Sequence, residues 1–465
     1  MRMVHTSGEA NRSTATKQLL TDRFRYAEEF GGEFSLGEDL SSESGYFRFG
    51  PDAICYGQYS SGAPARLVTD PLRDAFDHVT VNGSSFRLPF DAAQVVDNLR
   101  HEAYHNSAQS SRTITTKGIV RNMYYLGRPL MPIGVRKHLQ RLYFRGWEKL
   151  PFPKWPVDST VENILEQLLV LSMKSAKVTR IPFIWFWPDG VPSCTLVTHD
   201  VETSVGRDFC PQLMDLNDSF GVKAAFQIVP QGRYSIPQPL LDSIRSRGFE
   251  LNVHDLNHDG HLMRDRDEFL RRVGQINRHA LRFGALGFSS AMLYRNVDWY
   301  DALDFSYDLS VPNVAHLDPQ RGGCCTVFPY FIGKILELPV TMTQDYSLFH
   351  ILRAYSLTLW KQQISLIRKK YGLIHLIVHP DYVIDDAARR VYSELLGYLS
   401  ELRSQGETWI ALPNEVNTWW RLRSQLSLVN TGDSLHIEGE GNQRARIAYA
   451  TIADGTLKYE FGSTP

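Results

Sequence analysis

Three short segments carry residue types whose spacing could do chemistry. Thr198-His199-Asp200-Val201-Glu202 sits where an apolar run ends. In extended backbone, residues two apart share a face, so Asp200 and Glu202 would present two carboxylates together. His254-Asp255-Leu256-Asn257-His258 closes another such run. A turn of helix would bring imidazoles at i and i+4 onto one metal, and with a separate carboxylate they make an open zinc-type site whose last position holds water. The same spacing arises by chance in a chain with 15 histidines. Leu376-Ile377-Val378-His379 sets a third histidine after an apolar run, suited to proton transfer or, equally, to capping backbone.

These side chains need elements to position them. From about residue 181 the pattern alternates strands with helices, as parallel βα units do. Strands are expected at Ser193–Asp200, Lys223–Val229, Phe249–His254, Leu286–Ser290, Phe305–Leu309, Ile335–Thr341, Leu373–His379 and Thr408–Leu412. Helices are expected at Pro239–Arg247, Asp265–Phe283, Ser347–Tyr371 and Asp385–Gln405. Such a string is the size of one barrel-like α/β domain, in which the strand ends form the active mouth. Glu250, Asn252 and His254 alternate with Phe249, Leu251 and Val253, so polar groups fall on a side that should be core and need partners there.

Composition bounds the rest. The chain has 465 residues, enough for two or three domains, and 43% hydrophobic with 22% charged residues describes a folded protein. Fifty Lys and Arg against 51 Asp and Glu leave a net charge of −1, so no global field draws it to nucleic acid. Cys55, Cys194, Cys210, Cys324 and Cys325 form no C-x-x-C pair and read as reduced thiols. No leader-like apolar run opens the sequence and none is long enough to span a bilayer, which makes the cytoplasm the expected compartment. Residues 1–45 read as a polar, partly disordered start, 46–180 as an accessory α+β region and linker, 181–425 as the barrel, and 426–465 as a small antiparallel region. Within the accessory region, Val135–Trp147 is a basic amphipathic helix, either packed on the next domain or resting peripherally on an anionic membrane.

As a set, Asp-x-Glu after the first strand, His-x-x-x-His after the third and His-Pro after a late one resemble the polysaccharide deacetylases, the nodulation-protein-B-like group of carbohydrate esterase family 4, over about residues 181–420. The resemblance implies a distorted (β/α)7 barrel. It implies Asp200 as general base, Glu202, His254 and His258 as ligands of one divalent metal ion, zinc foremost, and His379 as general acid. The implied activity is removal of acetyl groups, N-acetyl before O-acetyl, from an oligo- or polysaccharide, and the expected cytoplasmic compartment suggests a nucleotide- or lipid-linked sugar precursor as the substrate. Two alternatives stay open: a catalytically silent carbohydrate-binding homologue, and a hydrolase of other carbon–nitrogen amide bonds on the same scaffold. The sequence departs from the family where an Arg-x-Pro motif is usual, since Gly287-Phe288-Ser289-Ser290-Ala291-Met292 has neither residue. Arg295 is the candidate substitute to hold the base. Asp308 and Asp345 are both candidates to orient the acid histidine, and His199 reads as a core or supporting histidine.

Overall fold

The computed structural model describes residues 6–37, 39–82, 85–108, 139, 141–432 and 434–461. The chain divides into two compact units, residues 109–158 with 191–418, and residues 1–108 with 159–190 and 419–465.

The first of these is the barrel. Its strands are β1 (Cys194–Val201), β2 (Ala225–Ile228), β3 (Glu250–His254), β4 (Gly287–Ser289), β5 (Tyr307–Asp308), β6 (Tyr330–Ile332), β7 (Ile335–Glu337), β8 (Leu373–Ile377) and β9 (Trp409–Ile410). Seven of them, in the order β7-β5-β4-β3-β2-β1-β8, pair in parallel, while β6 lies antiparallel on β7 and β9 joins the start of β1. The sheet curls back on itself past β7: Met342 N donates to His375 O at 3.1 Å and Thr341 Oγ1 to Leu373 O at 2.7 Å, tying that run to β8. The result is a distorted (β/α)7 barrel. Every residue of β1 and β8 is buried, as parallel strands covered on both faces require.

The covering helices are α1 (Ser204–Ser219), α2 (Gln238–Ser246), α3 (Arg266–Phe283), α4 (Thr358–Lys369) and α5 (Asp386–Ser404). Each forms for local reasons. In α3, Asp265 caps the start by accepting from Glu268 N at 2.9 Å, and Gly284 ends it at φ +56. Its Phe269, Val273, Ile276 and Ala280 are buried on one stripe, the face expected from their spacing. The single helix expected over Ser347–Tyr371 is instead two pieces. A π-helical turn spans Ser347–Leu352, and Arg353 follows at φ +57, a left-handed conformation that stops the helix before α4 begins.

The second unit is built around an aromatic cluster in which Phe24, Phe183 and Phe186 surround Tyr459. The opening segment is helical over Thr6–Phe24, and Thr16, Leu20 and Phe24 recur every four residues on it and are buried. The strand Arg180–Ile184 pairs antiparallel with Ile447–Ala453, which turns back as Thr456–Phe461. The expected barrel boundary at residue 181 therefore falls inside a strand of this other sheet. Arg423 is buried here with its charge turned on the carbonyls of Trp185 at 2.9 Å and Ile184 at 2.7 Å.

Of the expected basic helix, residues 135–138 and 140 lie outside the described residues. Leu139 and residues 141–144 are helical, with Leu142 and Tyr143 exposed. All five cysteines are buried thiols outside any disulfide. Among the described residues no helix is long and apolar enough to cross a membrane.

Candidate functional site

At the C-terminal mouth of the barrel the chain brings Asp200, Glu202, His254, His258 and His379 together, with Asp345 behind. Asp200 is the penultimate residue of β1, in register with Gln227 of β2, which is in turn in register with Asn252 of β3. Glu202 lies one residue past β1, two residues before α1 begins, so it is fixed between a strand and a helix cap in which Thr203 Oγ1 accepts from Gly206 N at 3.0 Å.

His254 closes β3 and its Nδ1 lies 3.2 Å from Ser289 O on β4. That contact turns Nε2 toward the carboxylates, 3.7 Å from Asp200 Oδ2 and 3.7 Å from Glu202 Oε1. His258 comes in by a different route from the helical turn expected of His-x-x-x-His. Residues 255–258 form a loop in which Asp255 and His258 take left-handed φ of +55° and +54°. The loop sets the two imidazole rings 4.9 Å apart and His258 Nε2 2.8 Å from Glu202 Oε1.

His379, two residues past β8, points Nε2 at Glu202 Oε1 from the other side, at 3.4 Å. Asp345 holds it: Oδ1 lies 2.7 Å from His379 Nδ1, and Oδ2 accepts from His379 N at 2.7 Å. Of the two aspartates considered for this histidine, Asp345 is the one in contact with it. Asp308 faces elsewhere, accepting from Ser310 Oγ at 2.8 Å and Ser310 N at 3.0 Å beside Glu337, its neighbour in register on β7. Arg295 likewise turns back on its own segment, Nη1 donating to Leu293 O at 2.8 Å, and is not among the groups that weigh most on Asp200.

The electrostatics follow from burial and neighbours. Burial pushes the Asp200 carboxyl up, against the pull of His254 and His379. Glu202 is also buried, but the imidazoles of His258, His254 and His379 outweigh that and hold it well below the usual carboxylate range. Burial pulls both His254 and His379 down. Asp200 and Glu202 more than compensate at His254, and Asp345 does so at His379, which ends well above the ordinary histidine value. His199 is a neutral core histidine. Burial takes it down to about 3, and it bridges Val378 O at 3.1 Å and Asn217 Nδ2 at 2.8 Å.

Glu202, His254 and His258 offer one ligand atom each, all within 4.8 Å of one another, and Asp200, Glu202 and His379 do the same. Asp200 Oδ1, His254 Nε2 and His258 Nε2 are buried without an aligned hydrogen-bond partner. Orphaned buried atoms of this kind, two imidazole and one carboxylate, fit a divalent cation. Two neighbours were not singled out from the sequence. Tyr382 sets its ring 4.8 Å from that of His379, and its position three residues on in the same strand-end loop was the available signal. Gln227 is fully buried with neither amide atom partnered, and only the strand register places it beside Asp200.

No protein-family model matches the sequence, and no curated protein matches it. Solved structures do. A proposed polysaccharide deacetylase from Mycobacterium smegmatis is 18% identical with a TM-score of 0.42, over 51% of this chain and 93% of that one. Puue allantoinase is 14% identical with a TM-score of 0.39, over 50% and 92%. The Xyl-CE4 domain of a multidomain xylanase from the hindgut metagenome of Trinervitermes trinervoides is 14% identical with a TM-score of 0.32, over 50% and 92%. The solved structures to which the chain is similar thus include one described as a polysaccharide deacetylase and one described as a CE4 domain.

Proposed function

We propose that the chain is a metal-dependent hydrolase that removes acetyl groups, N-acetyl in preference to O-acetyl, from a saccharide. The observation that carries the reading is the convergence of Glu202, His254 and His258 on one point, with Asp200 on one flank and the Asp345–His379 pair on another. Glu202, His254 and His258 would hold a divalent ion, zinc foremost, which when bound supplies Lewis-acid polarisation of the acyl carbonyl and a more acidic water.

The protein's own groups do the proton work. Asp200 is the base that takes a proton from the attacking water. His379, carried protonated by Asp345, gives a proton to the leaving nitrogen as the carbon–nitrogen bond breaks, so acetate and a free amine result. Tyr382, whose ring lies 4.8 Å from that of His379 and 5.6 Å from that of Tyr346, is the aromatic side chain beside the acid on which a sugar ring would stack.

A second reading, a sugar-binding homologue without turnover, draws on Asp200. Burial raises its carboxyl, and the groups that weigh most on it are histidines and Glu202, with no arginine or lysine among them. One experiment separates the readings: acetate release from N-acetylglucosamine oligomers, with added divalent metals, by the native chain and by Asp200→Asn. Release by the native chain alone supports the hydrolase. None from either, at every metal, supports the silent binder, and faster turnover of a cyclic amide than of the sugar points to the other amide chemistry.

A further inference from the structure

One side chain of the barrel's outer helix grips the loop that delivers His258 on both flanks of the imidazole. Arg272, in the second turn of α3, spreads its guanidinium over the loop: Nη1 donates to Asn257 Oδ1 at 3.1 Å and to Asp259 Oδ1 at 2.8 Å, and Nη2 donates to Asp259 Oδ2 at 2.8 Å. Its Nε is taken by Glu268, one turn back on the same helix. Arg272 and Glu268 are both largely buried, with side chains 12% and 9% exposed. Asn257 and Asp259 are the residues on either side of His258. His258 itself stands at φ +54° and Asp255 at +55°, conformations that non-glycine residues keep only when their surroundings impose them.

We propose that Arg272 is a positioning residue for His258, fixing the loop from both sides of the imidazole so that Nε2 stands at Glu202. The inference rests on the reading of Glu202, His254 and His258 as a metal site. The physical case is that a planar guanidinium can bind a carboxylate bidentately and still reach a third oxygen, which sets the orientation of the loop as well as its distance from α3. The other contacts of the loop run to itself, to β4 and to the segment after β2, where Gln231 N donates to Leu256 O at 2.9 Å and Arg233 Nη2 lies 3.5 Å from His258 Nδ1. Asp259 N donates to Asn257 Oδ1 at 3.3 Å, His261 N to Asp259 Oδ1 at 2.8 Å, and Asp255 N to Ser289 O at 2.8 Å. The guanidinium is what ties both flanks of His258 to the barrel's outer helix. Without it more of the loop's order must be supplied at the moment a metal binds, and outer groups that orient a ligand typically carry 10- to 100-fold in metal affinity.

The test is zinc affinity, measured by competition with a chromophoric chelator, for the full chain and for Arg272→Met, Arg272→Lys, Asp259→Ala, His258→Ala and the double variant Arg272→Met with Asp259→Ala. Thermal unfolding of each metal-free form is followed alongside. The expected result is zinc binding by the native chain, weaker by about 10- to 100-fold in Arg272→Met and in Asp259→Ala. The double variant should lose no more than either single one, and lysine should restore little of the loss. A merely structural arginine would lower the metal-free melting temperature and leave the affinity of the folded fraction unchanged. Native affinity within twofold in Arg272→Met, while His258→Ala loses zinc, overturns this inference and leaves the metal site standing. Absence of zinc binding by the native chain overturns the metal site itself. If Arg272→Met does not fold, Asp259→Ala, which cuts the same clamp from its exposed end, decides.

Discussion

Asp345 grips His379 at two points, one carboxylate oxygen on the ring Nδ1 and the other on the backbone N, each at 2.7 Å. A ring held this way keeps its proton on Nδ1 and presents Nε2 to the site, since the donor facing a carboxylate is fixed by that contact. Asp345→Asn keeps the shape and removes the charge. The expected outcome is a fall in kcat on the order of 10²–10⁴-fold, the usual worth of an acid–base group, with KM little changed. An unchanged kcat would show that His379 gives no proton in the slow step.

Metal loading should be visible without any substrate. A site that binds only the folded chain stabilises it by about 2.7 kcal/mol at a free-ion concentration 100 times Kd. Thermal unfolding of the native chain should therefore shift upward with zinc and return on chelation. His254→Ala and Glu202→Gln should abolish the shift. A shift that survives in both variants places the ion elsewhere.

Much of this was legible in the sequence, and the reasons differ by element. The barrel strands could be placed because buried parallel strands are apolar runs bounded by turn residues, and Asp200, His254 and His379 each stand within two residues of where such a run ends. The loop that turns His258 inward could not be read, because left-handed φ at aspartate and histidine leaves no mark in composition. The sequence did not decide between Asp308, inside the expected strand Phe305–Leu309, and Asp345, four residues past the expected strand Ile335–Thr341. Only the pairing of β5 with β7 turns one to Glu337, and only the run tying β7 to β8 brings the other to His379. The break at Arg353 inside an otherwise helical pattern is of the same kind.

The Asp308–Glu337 pair predicts a pH dependence away from the site. Burial raises both carboxyls, and their mutual repulsion with a shared hydrogen bond holds Glu337 well above its ordinary 4.5. A carboxyl with a folded-state pKa above its unfolded one binds more protons when folded. Its stabilising contribution is complete below the unfolded value and is lost as pH rises through the folded one, about 1.4 kcal/mol for each unit between them. Glu337→Gln stays neutral throughout. Urea unfolding should find the variant more stable than the native chain at pH 8 and no more stable near pH 4. Equal stabilities at both would mean that the pair is already relieved by some other cation.

Gly287 is another position at which stability should respond. A Cβ there would meet the Tyr307 ring at 2.1 Å and Asn252 Oδ1 at 2.6 Å, and Gly287 N donates to that same oxygen at 3.0 Å. Neither neighbour is free to move, since Tyr307 OH also donates to Asn252 Oδ1 at 2.8 Å inside the barrel. Gly287→Ala should cost about 1–3 kcal/mol by overpacking. A cost below 0.5 kcal/mol, on the order of a surface substitution, would show that the barrel floor is softer than this packing requires.

Glu202 sits in a link of only two residues, Glu202 and Thr203, between the last residue of β1 and the first of α1. A junction with no spare length cannot accept an insertion without dragging the carboxylate away from the imidazoles. Adaptation of this scaffold to differently shaped substrates must then come from the longer connections after β3 and β5, while the first corner of the barrel acts as the fixed datum against which every variable rim segment is measured.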